Sequence, residues 1–293
     1  MRFMQNQSHP YRSVLYMPGS NPRALDKAKS LAADALILDL EDAVAPSEKL
    51  RARELVVEAV RAGGYGRRKL IVRINAFSTE WGEADLAAVA ACGADAILLP
   101  KVDAPGDITA AAERMGNAPE KTRIWAMMET PLGALEANAI AGAHPRLEGL
   151  VLGTNDLMKE LGCAARPDRM PLLAALSLCL MAARAHGLVC IDGVYNAFRD
   201  DEGLRAECEQ GRALGFDGKT LIHPAQIAVA NEVFAPTEAE LEHARAVVAA
   251  FEEAQARGEG VAVLDGRIVE NLHVETARRT IARAETIAAL ADG

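Results

Sequence analysis

Short apolar runs recur along the chain and alternate with longer segments whose apolar residues follow helical spacing. Eight of these runs, rich in Ile, Leu and Val, cover residues 13–18, 35–42, 69–75, 96–102, 123–130, 147–156, 187–195 and 218–224. Each run is too short for an ordinary helix, and its continuous apolar character is typical of a parallel strand that is covered on both faces. The pattern therefore predicts eight strands that alternate with helices.

Two architectures share this local pattern, a closed barrel and an open doubly wound sheet. The eight runs are fairly evenly spaced, and no GxGxxG follows the first of them. We therefore predict an α/β protein with a TIM (β/α)8 barrel over residues 1–228. Residues 229–293 are mostly helical around a short β-like turn. They predict a C-terminal helical extension that acts as a lid over the barrel or over a neighbouring subunit.

Polar residues are concentrated where the predicted strands end. They are Glu41, Asp42, Arg73, Asn75, Lys101, Glu129, Thr130, Thr154, Asn155, Asp156, Asp192, Tyr195 and His223. Active sites of (β/α)8 barrels lie at the carboxyl ends of the strands, where the following loops converge. Since polar residues recur on successive strands, the pattern favours one converging site over scattered solvation.

Glu129 and Asp156 are the candidate metal ligands, because each ends an apolar run on one of two neighbouring strands. Carboxylates brought close together raise each other's pKa unless a cation compensates them. Oxygen ligands favour a hard cation, and Mg²⁺ accepts one or two carboxylates with water and substrate at its other positions. The alternative is that both residues cap the helices that follow them.

Arg73 ends an otherwise apolar strand, and its planar guanidinium suits a carboxylate or an α-keto acid. The alternative is a structural ion pair with Glu41 or Asp42, which end the second run shortly after Asp39. A buried carboxylate is costly unless it meets a cation or a hydrogen-bond donor. We predict that Mg²⁺ and Arg73 supply the positive charge, with Glu41 and Asp42 ordering metal-bound waters.

Three other residues have an ordinary structural interpretation beside a functional one. Lys101 could form a Schiff base, but its position beside the carboxylates favours an ion pair. His223 could titrate near neutral pH, although a structural role fits it better. Asp265, in "VLDGRIVE", has the character of a turn aspartate.

The composition excludes several classes of protein. The chain has 41 acidic and 32 basic residues and a net charge of −9, which disfavours nucleic-acid binding. It has no apolar run near the roughly 20 residues that span a bilayer. Five cysteines without metal-binding spacing, and an N-terminus without an apolar signal region, predict a cytoplasmic protein.

Eight motifs in order resemble the citrate lyase β-subunit-like family, within the HpcH/HpaI-type aldolases and malyl-CoA lyases. They are "RSVLYMPGSN", "LILDLEDAV", "VRIN", "LPKV", "METPLGALEA", "LGTNDL", "IDGVY" and "GFDGKTLIHPAQI". The resemblance implies a TIM barrel that assembles as trimers or hexamers, with Mg²⁺ on Glu129 and Asp156 and substrate on these two residues and Arg73. It also implies that Glu41 and Asp42 lie near the metal, and that Asp265 serves a neighbouring subunit as acid or base. Arg12, Arg23 and Lys27 would contact coenzyme A, or else form a solvated surface.

The reaction implied by this resemblance is reversible cleavage of a β-hydroxyacyl-CoA to acetyl-CoA and an α-keto acid. Malyl-, citramalyl- and citryl-thioesters would release glyoxylate, pyruvate and oxaloacetate, and the metal site cannot distinguish them. One alternative is thioester hydrolysis, as in malyl-CoA thioesterase or malate synthase-like members. Another is a citrate lyase β-type subunit whose substrate is attached to an acyl carrier protein.

Overall fold

The computed structural model describes residues 9–116 and 118–291, and these form two compact units. The first unit is a closed barrel in the order β1 to β8, in which all neighbours are parallel and β8 pairs with β1. Its strands are Ser13–Pro18, Ala35–Asp39, Lys69–Arg73, Ala96–Leu99, Arg123–Met128, Leu147–Leu152, Val189–Asp192 and Gly218–Leu221. The prediction of a (β/α)8 barrel is confirmed.

Helices follow the strands around the barrel. They are α1 (Pro22–Ala28), α2 (Lys49–Ala62), α3 (Gly82–Ala90), α4 (Pro105–Arg114), α5 (Pro131–Leu135), α6 (Ala137–Ala141), α7 (Thr154–Leu161), α8 (Leu173–His186), α9 (Asp201–Leu214) and α10 (Ile227–Val233). Short 3₁₀ turns cover Pro46–Glu48, Met170–Leu172 and Pro224–Gln226. In the described part of the chain, no helix has the length and apolar character needed to cross a membrane.

The second unit takes in His9, Pro10 and the described residues from Ala235 onward, because α10 contacts α9 and β1 and so belongs to the barrel. The sequence-based boundary lies six residues earlier. This unit contains α11 (Glu238–Ala256), an antiparallel hairpin of β9 (Ala262–Leu264) and β10 (Arg267–Val269), and α12 (Asn271–Ala291). Its own small core is formed by residues from α11, the hairpin and α12. Residues 1–8, on which part of the targeting prediction rests, lie outside the described residues.

Two apolar layers result from the alternation of side chains along each barrel strand. Val14, Ile37, Ile71, Val151 and Ile191 belong to the cluster that fills the barrel. Their strand neighbours belong to the larger cluster between the barrel and its helices. The strand residue after an inner position therefore faces the helices, and the second residue after it faces the barrel interior.

This alternation directs Asp192 away from the barrel interior, into a buried charge network. Arg169 Nη1 lies 2.7 Å from both carboxylate oxygens of Asp192, and Lys219 Nζ lies 3.3 Å from Oδ2. Lys219 Nζ also donates to Glu207 on α9 at 2.6 Å. Two cations and two carboxylates thus neutralise one another. Asp192, at the end of β7, therefore has a structural role.

We expect Asp192→Asn to lower the free energy of unfolding by about 3–5 kcal/mol, because two cations would lose a buried partner. Denaturation in urea, followed by circular dichroism, measures this change. Asp168→Asn is the matched control, since the Arg166–Asp168 pair is half exposed and should contribute little. Equal stability of the two variants would contradict the structural role of the network.

Candidate active site

The inner face of the barrel becomes polar at the carboxyl ends of the strands. Two residues beyond the inner apolar positions lie Tyr16, Asp39, Arg73, Glu129, Gly153 and Gly193. The same alternation that builds the core therefore directs an arginine and two carboxylates into one end of the barrel. This is the end at which barrel enzymes place their chemistry.

Arg73 is held by Asp39, a residue to which the sequence-based interpretation assigned no role. The two lie opposite each other in the β2–β3 register, and Nε and Nη2 of Arg73 each donate to an Asp39 oxygen at 2.7 Å. Asp39 also accepts the backbone N–H groups of Glu41 and Ala43. Both side chains are buried. Arg73 is therefore the direct partner of the buried aspartate.

Glu41 and Asp42 contact the remaining end of the same guanidinium. Arg73 Nη1 lies 2.9 Å from Glu41 Oε2 and 3.2 Å from Asp42 Oδ2. Glu41 Oε2 is buried and accepts no hydrogen bond of good geometry. Burial raises the pKa of Glu41 to about 7, with Arg73 opposing the shift and Asp42 and Asp39 adding to it. Lys49, another unassigned residue, fixes this loop by donating to the Leu40 and Glu41 carbonyl oxygens at 2.8 Å.

Glu129 directly follows β5 and is almost wholly buried. Its Oε1 accepts the backbone N–H of Lys101 at 2.7 Å, and Lys101 adopts a left-handed conformation with φ of 48°. Burial raises the pKa of Glu129 to about 7; Lys101 opposes the shift, and Glu41 and Asp156 add to it. Glu41 and Asp156 are thus close enough to Glu129 to disfavour its ionisation.

Asp156 lies in the first turn of α7, where a negative charge stabilises the helix. Its Oδ1 is 3.6 Å from Lys101 Nζ, and both side chains are partly exposed. Burial opposes the charged form of Lys101, but Glu129 and Asp156 raise its pKa. Lys101 therefore has the ion-pair environment expected for it.

Neither Glu129 nor Asp156 is the capping residue of the helix that follows it. Thr130 caps α5 by accepting the Gly133 N–H, and Gly153 occupies the N-cap position of α7. Helix capping therefore leaves both carboxylates available for another role.

The donor set of this site fits a hard divalent cation. In residues 9–116 and 118–291, no group of three or more His, Cys, Asp or Glu side chains forms a metal-binding cluster. Glu129 and Asp156 would supply two oxygen ligands and leave other positions to water and substrate, which is the coordination that Mg²⁺ accepts. Glu41 and Asp156 add to the burial that raises the pKa of Glu129, and a cation between these carboxylates would offset their repulsion.

Other sequence-based candidates lie elsewhere or have structural partners. Arg12 pairs with Asp34 at 2.8 Å before β1 and β2 begin, which is the opposite end of the barrel from Glu129. A coenzyme A contact for Arg12 at the candidate site therefore does not fit the barrel. His223 accepts the Ala225 N–H and caps a 3₁₀ turn, as a structural histidine does.

Asp265 belongs to the second unit, at the tip of the β9–β10 hairpin. It is exposed and has φ of 49°, and Gly266 follows with φ of 74°. Asp-Gly with two positive φ angles is typical of a two-residue hairpin turn. The local structure therefore explains the aspartate as a turn residue and also leaves its carboxylate accessible.

The structure is thus a (β/α)8 barrel whose carboxyl strand ends bring Arg73 together with several carboxylates. The comparison with known proteins is more specific. The model of the HpcH/HpaI aldolase/citrate lyase family matches residues 12–224, and the chain belongs to this family.

Two curated relatives cover nearly the whole chain. A (3S)-malyl-CoA thioesterase of Cereibacter sphaeroides strain KD131 is 62% identical over 286 residues, which are 98% of this chain and 99% of that protein. The citrate lyase subunit beta of Escherichia coli K12 is 38% identical over 288 residues, which are 96% of this chain and 95% of that protein. The chain is therefore similar to proteins named for two different reactions.

A solved structure has the same fold. CitE from Mycobacterium tuberculosis, in complex with magnesium, acetoacetate and coenzyme A, matches with a TM-score of 0.79 and 31% sequence identity. The match covers 96% of this chain and 100% of that one.

Proposed function

We propose that this chain is a Mg²⁺-dependent enzyme that hydrolyses a malyl-CoA-type thioester to the free hydroxy acid and coenzyme A. The observation that carries the proposal is the 62% identity, over 98% of the chain, to a (3S)-malyl-CoA thioesterase. Hydrolysis was the alternative in the sequence-based interpretation, and carbon–carbon cleavage was preferred there. The high identity favours hydrolysis as the net reaction.

Glu129 and Asp156 would hold Mg²⁺. Their oxygen donors suit this ion, and the carboxylates around them favour a cation at this position. The magnesium in the M. tuberculosis CitE complex supports Mg²⁺ as the cation. When bound, the ion supplies Lewis-acid polarisation of substrate oxygens.

The protein residues would orient the acid and the attacking water. Arg73, fixed by Asp39, directs its Nη1 toward Glu41 and Asp42, and this end of the guanidinium would share contacts with the substrate carboxylate. The Glu41 carboxylate, which pairs with Arg73, would orient the attacking water. Water would add to the thioester carbonyl carbon and lose a proton, the C–S bond would break, and the coenzyme A thiolate would take up a proton in its place.

Carbon–carbon cleavage is the second candidate, because the E. coli relative is a citrate lyase subunit. In this reaction the substrate hydroxyl loses its proton and the bond between the hydroxyl carbon and the thioester α-carbon breaks. The electron pair forms a thioester enolate, which is then protonated to acetyl-CoA. Asp265 of a neighbouring subunit would donate that proton, and Arg23 and Lys27, which are exposed, would contact the coenzyme A phosphates.

Product analysis distinguishes the candidates. The purified protein is incubated with malyl-CoA and Mg²⁺, and free thiol, malate, acetyl-CoA and glyoxylate are measured, with an EDTA control. Malate and thiol in equal amounts would support hydrolysis, whereas acetyl-CoA and glyoxylate without thiol would support cleavage. Activity only with a thioester on an acyl carrier protein would instead favour the subunit role, and activity that survives EDTA would contradict the metal assignment.

We expect Asp265→Asn to slow hydrogen exchange at the methyl group of acetyl-CoA about 10²- to 10⁴-fold, the usual contribution of a general acid or base. Asparagine tolerates the left-handed conformation, so the hairpin should persist. Exchange is followed by NMR in D₂O, with Glu259→Gln in the same unit as the control. An unchanged rate in Asp265→Asn would leave the residue with its turn role alone.

The proposed enzyme would assemble as a homo-oligomer, a trimer or hexamer. Leu132, Leu135, Leu178 and Met181 on α5 and α8 are large apolar residues with exposed side chains. Contiguous apolar surface of this kind is typical of an interface. Light scattering during size-exclusion chromatography measures the subunit number, and a monomeric mass would contradict the assembly.

A further inference from the structure

Two glycines, Gly153 and Gly193, directly follow the adjacent strands β6 and β7 on the inner face of the barrel, beside the candidate metal ligands. They follow the inner residues Val151 and Ile191 by two positions. Neither has a positive φ, so the backbone conformation does not require glycine at either position. Another reason must explain the missing side chains.

The side chain of Glu129 occupies the space over Gly153. A Cβ atom at Gly153 would lie 2.4 Å from Glu129 Cβ and 2.7 Å from Glu129 Oε2. Real Cβ atoms do not approach other atoms so closely, so a methyl group there would displace the carboxylate. Glu129 therefore leans across the end of β6, toward the helix that carries Asp156.

The same arrangement occurs one layer deeper in the barrel. Trp125 pairs with Gly149 in the β5–β6 register, and a Cβ at Gly149 would lie 2.8 Å from the indole ring. At both levels a large residue meets a glycine: Trp125 of β5 meets Gly149 of β6, and four residues later Glu129 meets Gly153, each directly after its strand. At the level nearer the carboxyl ends of the strands, the large residue is Glu129, a candidate metal ligand.

Gly193 performs the corresponding function for the helix that carries Asp156. A Cβ at Gly193 would lie 2.4 Å from Thr154 Oγ1 and 2.5 Å from Thr154 Cγ2. Thr154 is buried and begins α7, two residues before Asp156. A side chain on residue 193 would push against the turn that positions this carboxylate.

We propose that Gly153 and Gly193 are positioning residues that set the separation between the Glu129 and Asp156 carboxylates. The missing side chain at Gly153 lets Glu129 reach across β6, and the one at Gly193 lets α7 begin close to β7. This inference rests on the proposed function, because the distance matters only if the two carboxylates share a cation.

The first test measures Mn²⁺ binding by electron paramagnetic resonance, without substrate. Gly153→Ala should weaken binding about 10- to 100-fold, the effect typical of residues that orient metal ligands. Gly106→Ala is the matched control, since a Cβ at Gly106 has no neighbour within 4 Å. Gly153→Ala that folds and binds Mn²⁺ like the parent would overturn the inference. Parent protein that binds no Mn²⁺ would instead contradict the proposed function.

The second test needs no metal, because it measures coupling between neighbouring positions through thermal unfolding. Gly193→Ala should lower Tm, and adding Thr154→Ala should recover part of the loss, because it removes the two closest of the three clashing atoms and leaves the Leu152 carbonyl oxygen at 2.9 Å. Gly153→Ala should likewise lower Tm in the parent but not in a Glu129→Gly background. A loss of equal size in both backgrounds, or failure of both double variants to fold, would show that these contacts do not explain the glycines and would overturn the inference.

Discussion

Glu129→Gln and Asp156→Asn are each expected to lower Mg²⁺-dependent turnover of malyl-CoA by about 10³-fold or more. Each change keeps the shape of the side chain and removes one of the two carboxylates proposed to hold the ion. Lewis-acid stabilisation contributes several kcal/mol to the transition state, and about 1.4 kcal/mol corresponds to tenfold in rate. Steady-state assays at saturating Mg²⁺, with Mn²⁺ binding measured in parallel, test both variants.

Glu160→Gln provides the control for these two changes. Glu160 is an exposed carboxylate on α7, the helix that carries Asp156, so the substitution makes the same chemical change outside the site. It should leave both turnover and Mn²⁺ affinity unchanged. Parent-like turnover in either Glu129→Gln or Asp156→Asn would remove the metal assignment.

Arg73→Lys is expected to lower kcat/KM about 10- to 100-fold. Lysine cannot reproduce the two 2.7 Å hydrogen bonds that join the Arg73 guanidinium to Asp39, nor the third contact toward Glu41. A hydrogen bond to a charged group contributes about 1.5–3 kcal/mol, which corresponds to this range of rates. Assays over a range of substrate concentration show whether KM or kcat carries the loss.

Arg12→Lys separates the functional part of this effect from the structural part. Arg12 makes a two-point ion pair with Asp34 that resembles the Arg73–Asp39 pair, but it lies where the strands begin. Both variants should lose stability, and only Arg73→Lys should lose kcat/KM. Equal catalytic losses in the two variants would show that Arg73 acts through stability alone.

The strands were predicted closely because burial on both faces leaves a continuous apolar signal. Seven of the eight apolar runs begin where a strand begins, and the run at 187 begins two residues early. Most runs extend past the strand ends, for example to residue 42 where β2 ends at Asp39. The added residues are the polar ones that enter the loops, and these contain much of the candidate site.

The partner of Arg73 could not be read from spacing. Glu41 and Asp42 were chosen from the sequence because they end the run, and both do contact Arg73. Asp39 makes the stronger two-point pair because the register of β2 and β3 places it opposite Arg73. Counting two residues from Ile37 would have placed Asp39 inside the barrel, but pairing depends on the register.

By itself, the sequence determined the strands, the helices and the polar character of the strand ends, because periodicity and burial act on neighbouring residues. The tertiary structure alone decided which carboxylate faces Arg73, that Arg169 and Lys219 neutralise Asp192, and that Glu129 lies over Gly153. These features depend on strand register and on close approach between residues distant in the chain. Such distances are set only when the barrel closes.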